Sequence, residues 1–138
     1  MLTVLKKNEQ PLRTLAEPVP HGEDVSKLVA DMQVTMVKSK GIGLAANQVG
    51  ILKRVIVMAT KNYTGAIINP VITNHTETVK MSSEGCLSVP GKQAKVKRHY
   101  KVTVEGFDEN WNPLTLNMKQ LSAYCVQHEI DHLNGITI

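Results

Sequence analysis

Three patterns of apolar and polar positions succeed one another along the chain. Residues 1–23 hold Pro11, Pro18, Pro20 and Gly22 without a sustained period, which predicts an extended arm lying on the body of the protein. From Asp24, a residue type suited to capping, apolar side chains fall at Val25, Leu28, Val29, Met32 and Met36. That spacing is one helical face, predicted over about 24–40 and stopped at Gly41. A small-residue segment, Gly41 to Gly50, follows. β-rich runs then come at Arg54–Met58, Ala66–Ile72, Glu77–Met81, Ala94–Val96, Tyr100–Glu105 and Leu114–Leu116, with Asp108-Glu109-Asn110 as a turn. They predict a β meander. The helical period returns with Leu121, Tyr124, Cys125, His128 and His132 on one face, Asn117 and Gln120 as a capping box and Gly135 as the stop, a helix over about 118–134. Helix, strands, helix is the order of an α+β fold, not of alternating parallel-sheet units.

Composition narrows the class. The 138 residues fit one domain, and 42% hydrophobic with 20% charged residues is ordinary for a folded protein. No apolar run approaches the roughly 18 residues of a membrane helix. A net charge of +4 favours an anionic neighbour without requiring one. The aromatic residues (Trp111, Tyr63, Tyr100, Tyr124, Phe107) are too few and scattered for a single-strand stacking platform. The N-terminus, with Lys6 and Lys7 after a very short apolar stretch, is unlike a secretory signal, so the cytoplasm is expected. There Cys86 and Cys125 read as thiols or metal ligands rather than a disulfide.

The strongest chemical motif is His128-Glu129-Ile130-Asp131-His132. Residues four apart on a helix stack, so two imidazoles can share one ion with the intervening Glu as general base. A catalytic site of this kind takes a third protein ligand. Ile138 stands where a metzincin would have its third histidine, and no carboxylate follows His132, so the ligand comes from upstream. Cys86, in the small-residue segment Glu84-Gly85-Cys86-Leu87-Ser88, is favoured; Cys125, on the same helix, is its rival and otherwise a pocket-wall or core thiol. His75 and His99 lie among polar or basic neighbours and are expected at the surface. Gly41-Ile42-Gly43-Leu44-Ala45-Ala46 formally matches a dinucleotide fingerprint but leaves a helix and enters a strand, the reverse of what that motif needs. Its glycines suit close approach of backbone to a ligand, with the neutral Gln48 amide as a donor to a developing oxyanion.

Together Gly41-Ile42-Gly43-Leu44-Ala45-Ala46-Asn47-Gln48, Glu84-Gly85-Cys86-Leu87-Ser88 and His128-Glu129-Ile130-Asp131-His132 resemble the three motifs of peptide deformylase, in order and spacing. The resemblance implies an α+β fold with the metal-binding helix among small, mostly antiparallel sheets. It implies an enzyme that removes the formyl group from N-terminal formylmethionine of nascent chains, releasing formate. It makes Cys86, His128 and His132 the ligands of one divalent ion, Fe2+ or Zn2+, with Ni2+ or Co2+ able to substitute. Glu129 becomes the proton carrier, and the Gln48 side chain with the Leu87 backbone N–H the oxyanion donors. Ile42, Leu121, Tyr124 and Cys125 would wall the methionine pocket, Gly43 and Gly85 would admit the substrate backbone, and Glu84 completes the substrate-binding set. Asp131 and Arg98 are a candidate pair behind the ligand helix. Gln93 departs from the arginine or tyrosine common in the family. The family's usual continuation into a C-terminal helix is not in this sequence, so ribosome docking is not carried over; a monomer without specific nucleic-acid or membrane partners is expected. The rival expectation is a metal-stabilised module binding RNA through Lys92, Lys95, Lys97, Arg98 and Lys101.

Overall fold

The computed structural model describes residues 2–138. Its helices are α1 (Ser26–Lys38) and α2 (Leu121–Leu133). Its strands are β1 (Gly43–Ala45), β2 (Val55–Ala59), β3 (Thr64–His75), β4 (Val79–Cys86), β5 (Val89–His99), β6 (Lys101–Phe107) and β7 (Pro113–Lys119). One antiparallel sheet runs β1-β2-β3-β6-β7. The predicted single meander is thereby corrected, because β4 and β5 leave between β3 and β6 and pair only with each other. The inner face of that hairpin explains the departure: it buries Ser82, Glu84 and Arg98, polar groups that an apolar sheet would leave without partners. No helix of the described residues is long and apolar enough to cross a membrane.

The large sheet separates two cores. Val55 and Val57 of β2, with Ala66 and Ile68 of β3, face Val29, Met32 and Met36 of α1. Ile56, Met58 and Ile67 point the other way, with Val102, Val104 and Met118, onto Ala123, Val126, Ile130 and Leu133 of α2. A strand covered on both faces has no position to give to water, which is why Val55–Met58 is an unbroken apolar run. The N-terminal arm lies on this body as expected: Leu5 N–H donates to Gln48 C=O at 2.6 Å and Ala16 N–H to Leu133 C=O at 2.8 Å. Within it, residues 10–13 close a 3-10 turn that the aperiodic sequence did not announce.

Both helices end in a Schellman turn, by different residues. After α2, Gly135 takes φ +77, its N–H bonding His132 C=O while that of Ile136 reaches Asp131 C=O. After α1 the left-handed position is Lys40, with φ 61, one residue before the predicted stop at Gly41. Gly41 instead lies under Leu87, whose Cδ1 is 2.8 Å from where a Cβ would stand and would have to shift to admit one. The predicted capping box before α2 does not form. Asn117 and Lys119 belong to β7, Thr103 Oγ1 donates to Asn117 Oδ1, and Gln120 enters the helix with φ 54 and no side-chain cap. The strand runs on to Lys119, leaving Gln120 alone to turn the chain into the helix.

Candidate active site

α2 carries its polar residues inward because the sheet covers one side of it and the β4–β5 hairpin another. Cys86, the last residue of β4, brings Sγ to 3.4 Å from His132 Nε2, which lies 3.0 Å from His128 Nε2. The three donor atoms all fall within 4.8 Å of one another. Cys125 is outside the cluster: its Sγ lies 3.7 Å from Ile42 C=O. Burial, with the charges of Glu129 and Glu84, pushes its thiol pKa well up and keeps it protonated.

The histidines are oriented differently. His128 Nδ1 lies 2.9 Å from Glu84 Oε1, which sends its Nε2 toward Cys86 and His132. Glu84 is in turn held by Arg98, whose Nη2 and Nε reach the two carboxylate oxygens at 2.8 and 3.0 Å, while Nη1 reaches Asp131 Oδ2 at 2.6 Å. Burial alone would raise Glu84, but hydrogen bonds from His128, Arg98 and Ser82 outweigh it and hold its pKa at about 2. His132 Nδ1 is buried with no partner among the described residues. Burial and the charge of His128 push His132 down to about 3, leaving a neutral ring with a free lone pair.

This donor set fits a divalent ion. Two imidazole Nε2 atoms and one thiol converge, and negative groups surround them. The same surroundings act on His128, where burial opposes the charged form but hydrogen bonds to Cys86 and Glu84 raise the pKa to about 10. Proton and ion compete for that lone pair, so metal binding here is expected to release a proton and to weaken as pH falls.

Around the cluster lies a cleft of about 560 Å³ whose lining includes Ile42, Gly43, Gln48, Glu84, Gly85, Cys86, Leu87, Leu121, Tyr124, Cys125, His128 and Glu129. Glu129 is 5% exposed, and its Oε1 has no donor among the described residues. Burial, opposed in part by the charge of His128, pushes its carboxyl up to about 7. Gln48, 2% exposed, is fixed end for end: Oε1 accepts from Ala45 N–H at 3.0 Å, turning Nε2 to Ser88 Oγ at 3.2 Å and Cys86 Sγ at 3.6 Å. Leu87 opens the two-residue turn between β4 and β5.

Several sequence expectations change in detail. Leu121, expected on the inward face, is 58% exposed at the rim, because it is the first residue of α2. Glu84 borders the cleft, but its carboxylate is committed to Arg98 and His128. Gly43 clears space for the protein itself, since a Cβ there would lie 2.6 Å from Glu129 Oε2 and 2.8 Å from Cys125 Sγ. Gly85 is less confined, since a Cβ there would meet Gln93 Nε2 only in ordinary contact at 3.6 Å. His75 and His99 stay outside the site, their rings stacked at 3.8 Å. Arg98, assigned to the basic face in the RNA reading, is only 6% exposed and points inward, so the lysines beside it form no continuous stripe with it. The Glu84–His128 contact escaped sequence reasoning; its trace is the alternation of polar residues Ser82 and Glu84 on one strand face.

The sequence matches the polypeptide deformylase family over residues 1–138. It is 45% identical over 139 residues to Peptide deformylase 1 of Pseudomonas syringae pv. tomato, covering 98% of this chain and 83% of that protein. Its structure resembles that of the PDF from the Vibrio parahaemolyticus bacteriophage VP16T in complex with actinonin, with TM-score 0.98 and 53% identity, covering 99% of this chain and 100% of that one. A class I type b peptide deformylase from Acinetobacter baumannii is similar at TM-score 0.93 and 35% identity, covering 99% of this chain and 96% of that one.

Proposed function

Since the chain belongs to the polypeptide deformylase family, metal-dependent hydrolases that remove the N-formyl group from nascent peptides, we propose that Cys86, His128 and His132 hold its ion and that Glu129 moves the protons. The observation that carries this reading is the convergence of the three donors within 4.8 Å, in a cleft that Glu129 also lines. A Cys-His-His set accepts Fe2+ or Zn2+, with Ni2+ or Co2+ as substitutes. When bound, such an ion supplies Lewis acidity, lowering the pKa of water from 15.7 to about 7.

Glu129 Oε1, free of protein donors, takes the proton of the attacking water and passes it to the amine nitrogen as the C–N bond breaks. A carboxyl raised to about 7 is matched to both halves of that exchange at neutral pH. Gln48 Nε2 and the Leu87 N–H donate to the formyl oxygen as negative charge gathers on it, and each such donor is worth about 100- to 1000-fold in rate. Gln48 suits this because the Ala45 N–H holds its Oε1 and so turns the Nε2 donor to the Cys86 side of the cleft, where the formyl oxygen replaces the long contact to Sγ. Formate and a free N-terminal amine leave. Ile42, Leu121, Tyr124 and Cys125 accept the methionine side chain, while Gly85 leaves room for the peptide backbone. Glu84 and Arg98 position His128 rather than touch substrate. All these groups come from one chain, so a monomer suffices, and nascent substrates place the enzyme in the cytoplasm.

The test is formate release from formyl-Met-Ala by protein purified without oxygen. Prompt release is expected, lost on chelation, restored by metal, and reduced about 100- to 10,000-fold in Glu129→Ala. A folded, metal-loaded parent that releases no formate overturns the assignment.

A further inference from the structure

A second cleft, of about 410 Å³, shares no lining residue with the first and lies where the edge of β3 meets β6 and β7. Lys101 and Lys119 stand directly opposite each other across the antiparallel pair β6–β7. Like charges so placed repel. Neither has a carboxylate partner among the described residues, and no Asp or Glu lines the cleft.

The neutral groups have the same polarity. Asn62 Oδ1 accepts from Lys119 N–H at 3.0 Å and Asn74 Oδ1 from His75 N–H at 2.9 Å. Asn117 Oδ1 accepts from Thr103 Oγ1 at 2.9 Å. Each of the three amides therefore has its acceptor end taken by the protein, and none of their NH2 groups has a protein acceptor among the described residues. His75 Nδ1 is turned to Thr76 C=O at 3.1 Å, which leaves Nε2 as its outward atom. Chain-fixed amide donors beside two unpaired ammonium groups outweigh the acceptors of the lining, His75 Nε2 and the Thr76 and Thr103 hydroxyls, and the complement of such a surface is a compact anion with several acceptor oxygens.

We propose that this cleft is a binding site for phosphate, carried either by a free phosphate anion or by the phosphodiester backbone of single-stranded RNA. It engages the group through Lys101, Lys119 and the amides of Asn62, Asn74 and Asn117, apart from the hydrolytic centre. The test titrates the full chain, metal-loaded and 15N-labelled, with inorganic pyrophosphate and separately with a single-stranded RNA oligonucleotide. The NH2 signals of the asparagines are followed. The expected result is saturable shifts of Asn62 and Asn74 with at least one probe. Lys101→Gln/Lys119→Gln should weaken that binding roughly tenfold or more, with formate release unchanged. Binding of pyrophosphate as tight per phosphate as RNA identifies a free-anion site; binding of RNA alone, with strong salt dependence, identifies the phosphodiester. Absence of shifts with either probe, or shifts equally strong in the double variant, overturns the proposal.

Discussion

α1 and α2 are of equal length, close with the same turn and pack on opposite faces of one sheet, yet they are built to different ends. α1 buries a stripe, Val29, Met32, Thr35 and Met36, and leaves Val34 and Val37 in water. It is held chiefly by removal of apolar area, with Thr35 the one buried polar side chain, accepting from Leu2 N–H. α2 is buried nearly all round, Gln127, His128, Glu129 and His132 included. Burying such groups is unfavourable unless they are paired, and the hairpin supplies pairs for Gln127 and His128, while Glu129 Oε1 and His132 Nδ1 stay without a partner among the described residues. His99 offers its N–H to Gln127 Oε1 and accepts from Gln127 Nε2, Glu84 takes His128, and Arg98 takes Asp131. A helix that must only be stable can face water on one side. A helix that must hold ligands at fixed angles is enclosed, and its stability depends on partners from another sheet.

Breaking those partners should produce the largest effect. Arg98→Met leaves Glu84 without its two guanidinium bonds and Asp131 without its one. Removing one side of a buried ion pair costs about 3–5 kcal/mol, to be read as a lower urea midpoint. Because Glu84 then no longer holds His128, metal affinity should fall about 10- to 100-fold in a competition titration. Stability lost with affinity unchanged would show that the ion pair serves the fold and not the ligand.

The stability of α1 should be separable from chemistry. Met32 is fully buried in the core between α1 and the sheet, away from the cleft. Met32→Ala is expected to cost about 2–5 kcal/mol in urea unfolding, while kcat/KM, measured where the variant is folded, stays at the parent value. A fall in kcat/KM would mean that the sheet transmits packing changes from one helix to the other and that the two are not independent.

How far sequence could go follows from the same contrast. The α1 stripe, the β2 run and the inward face of α2 were legible because their spacing is local and periodic, and the three motifs pointed to the cleft residues before any coordinates. Three things were not legible. The departure of β4–β5 from the sheet depends on which strand pairs with which, a long-range choice that propensity does not encode. Glu84 looked like a substrate-binding residue because its neighbours line the cleft; the hairpin register pairs it with Ala94 and pairs Arg98 with Lys80, and only the long Arg98 side chain, reaching along that face, brings the guanidinium to Glu84. Gly43 read as room for a substrate, whereas the space is filled by Glu129 and Cys125.

The two Schellman turns offer a smaller test. Gly135→Ala places a Cβ at φ +77 and 3.0 Å from the Arg13 carbonyl carbon, so a loss of about 1–2 kcal/mol is expected from the backbone conformation alone. Lys40→Gly relieves a left-handed lysine and should raise stability by under about 1 kcal/mol, since the larger unfolded entropy of glycine offsets part of the gain. Opposite signs in thermal unfolding are the expected outcome; equal signs would mean that the turn after α1 is set by its surroundings rather than by Lys40.

The smallest effect belongs to the start of the helices: neither N-cap residue, Val25 or Gln120, makes a side-chain cap bond, but α1 is preceded by Asp24, expected as its cap and instead one residue before it, which bonds Ser26. Asp24 Oδ1 accepts from Ser26 Oγ at 2.6 Å and from Ser26 N–H at 3.0 Å, while Gln120 enters α2 without a side-chain cap. The side-chain and then the backbone hydrogen bond to Ser26 hold the Asp24 carboxyl below its ordinary 3.8. A group depressed on folding contributes stability that is fully present above its unfolded pKa and is lost as pH falls through its folded one. The difference in Tm between the parent and Asp24→Ala should therefore be level from neutral pH down to the ordinary carboxylate range and shrink below it. A gap that stays constant through the acid end of the scan would show Asp24 acting only as a neutral acceptor, its charge contributing nothing to the start of α1.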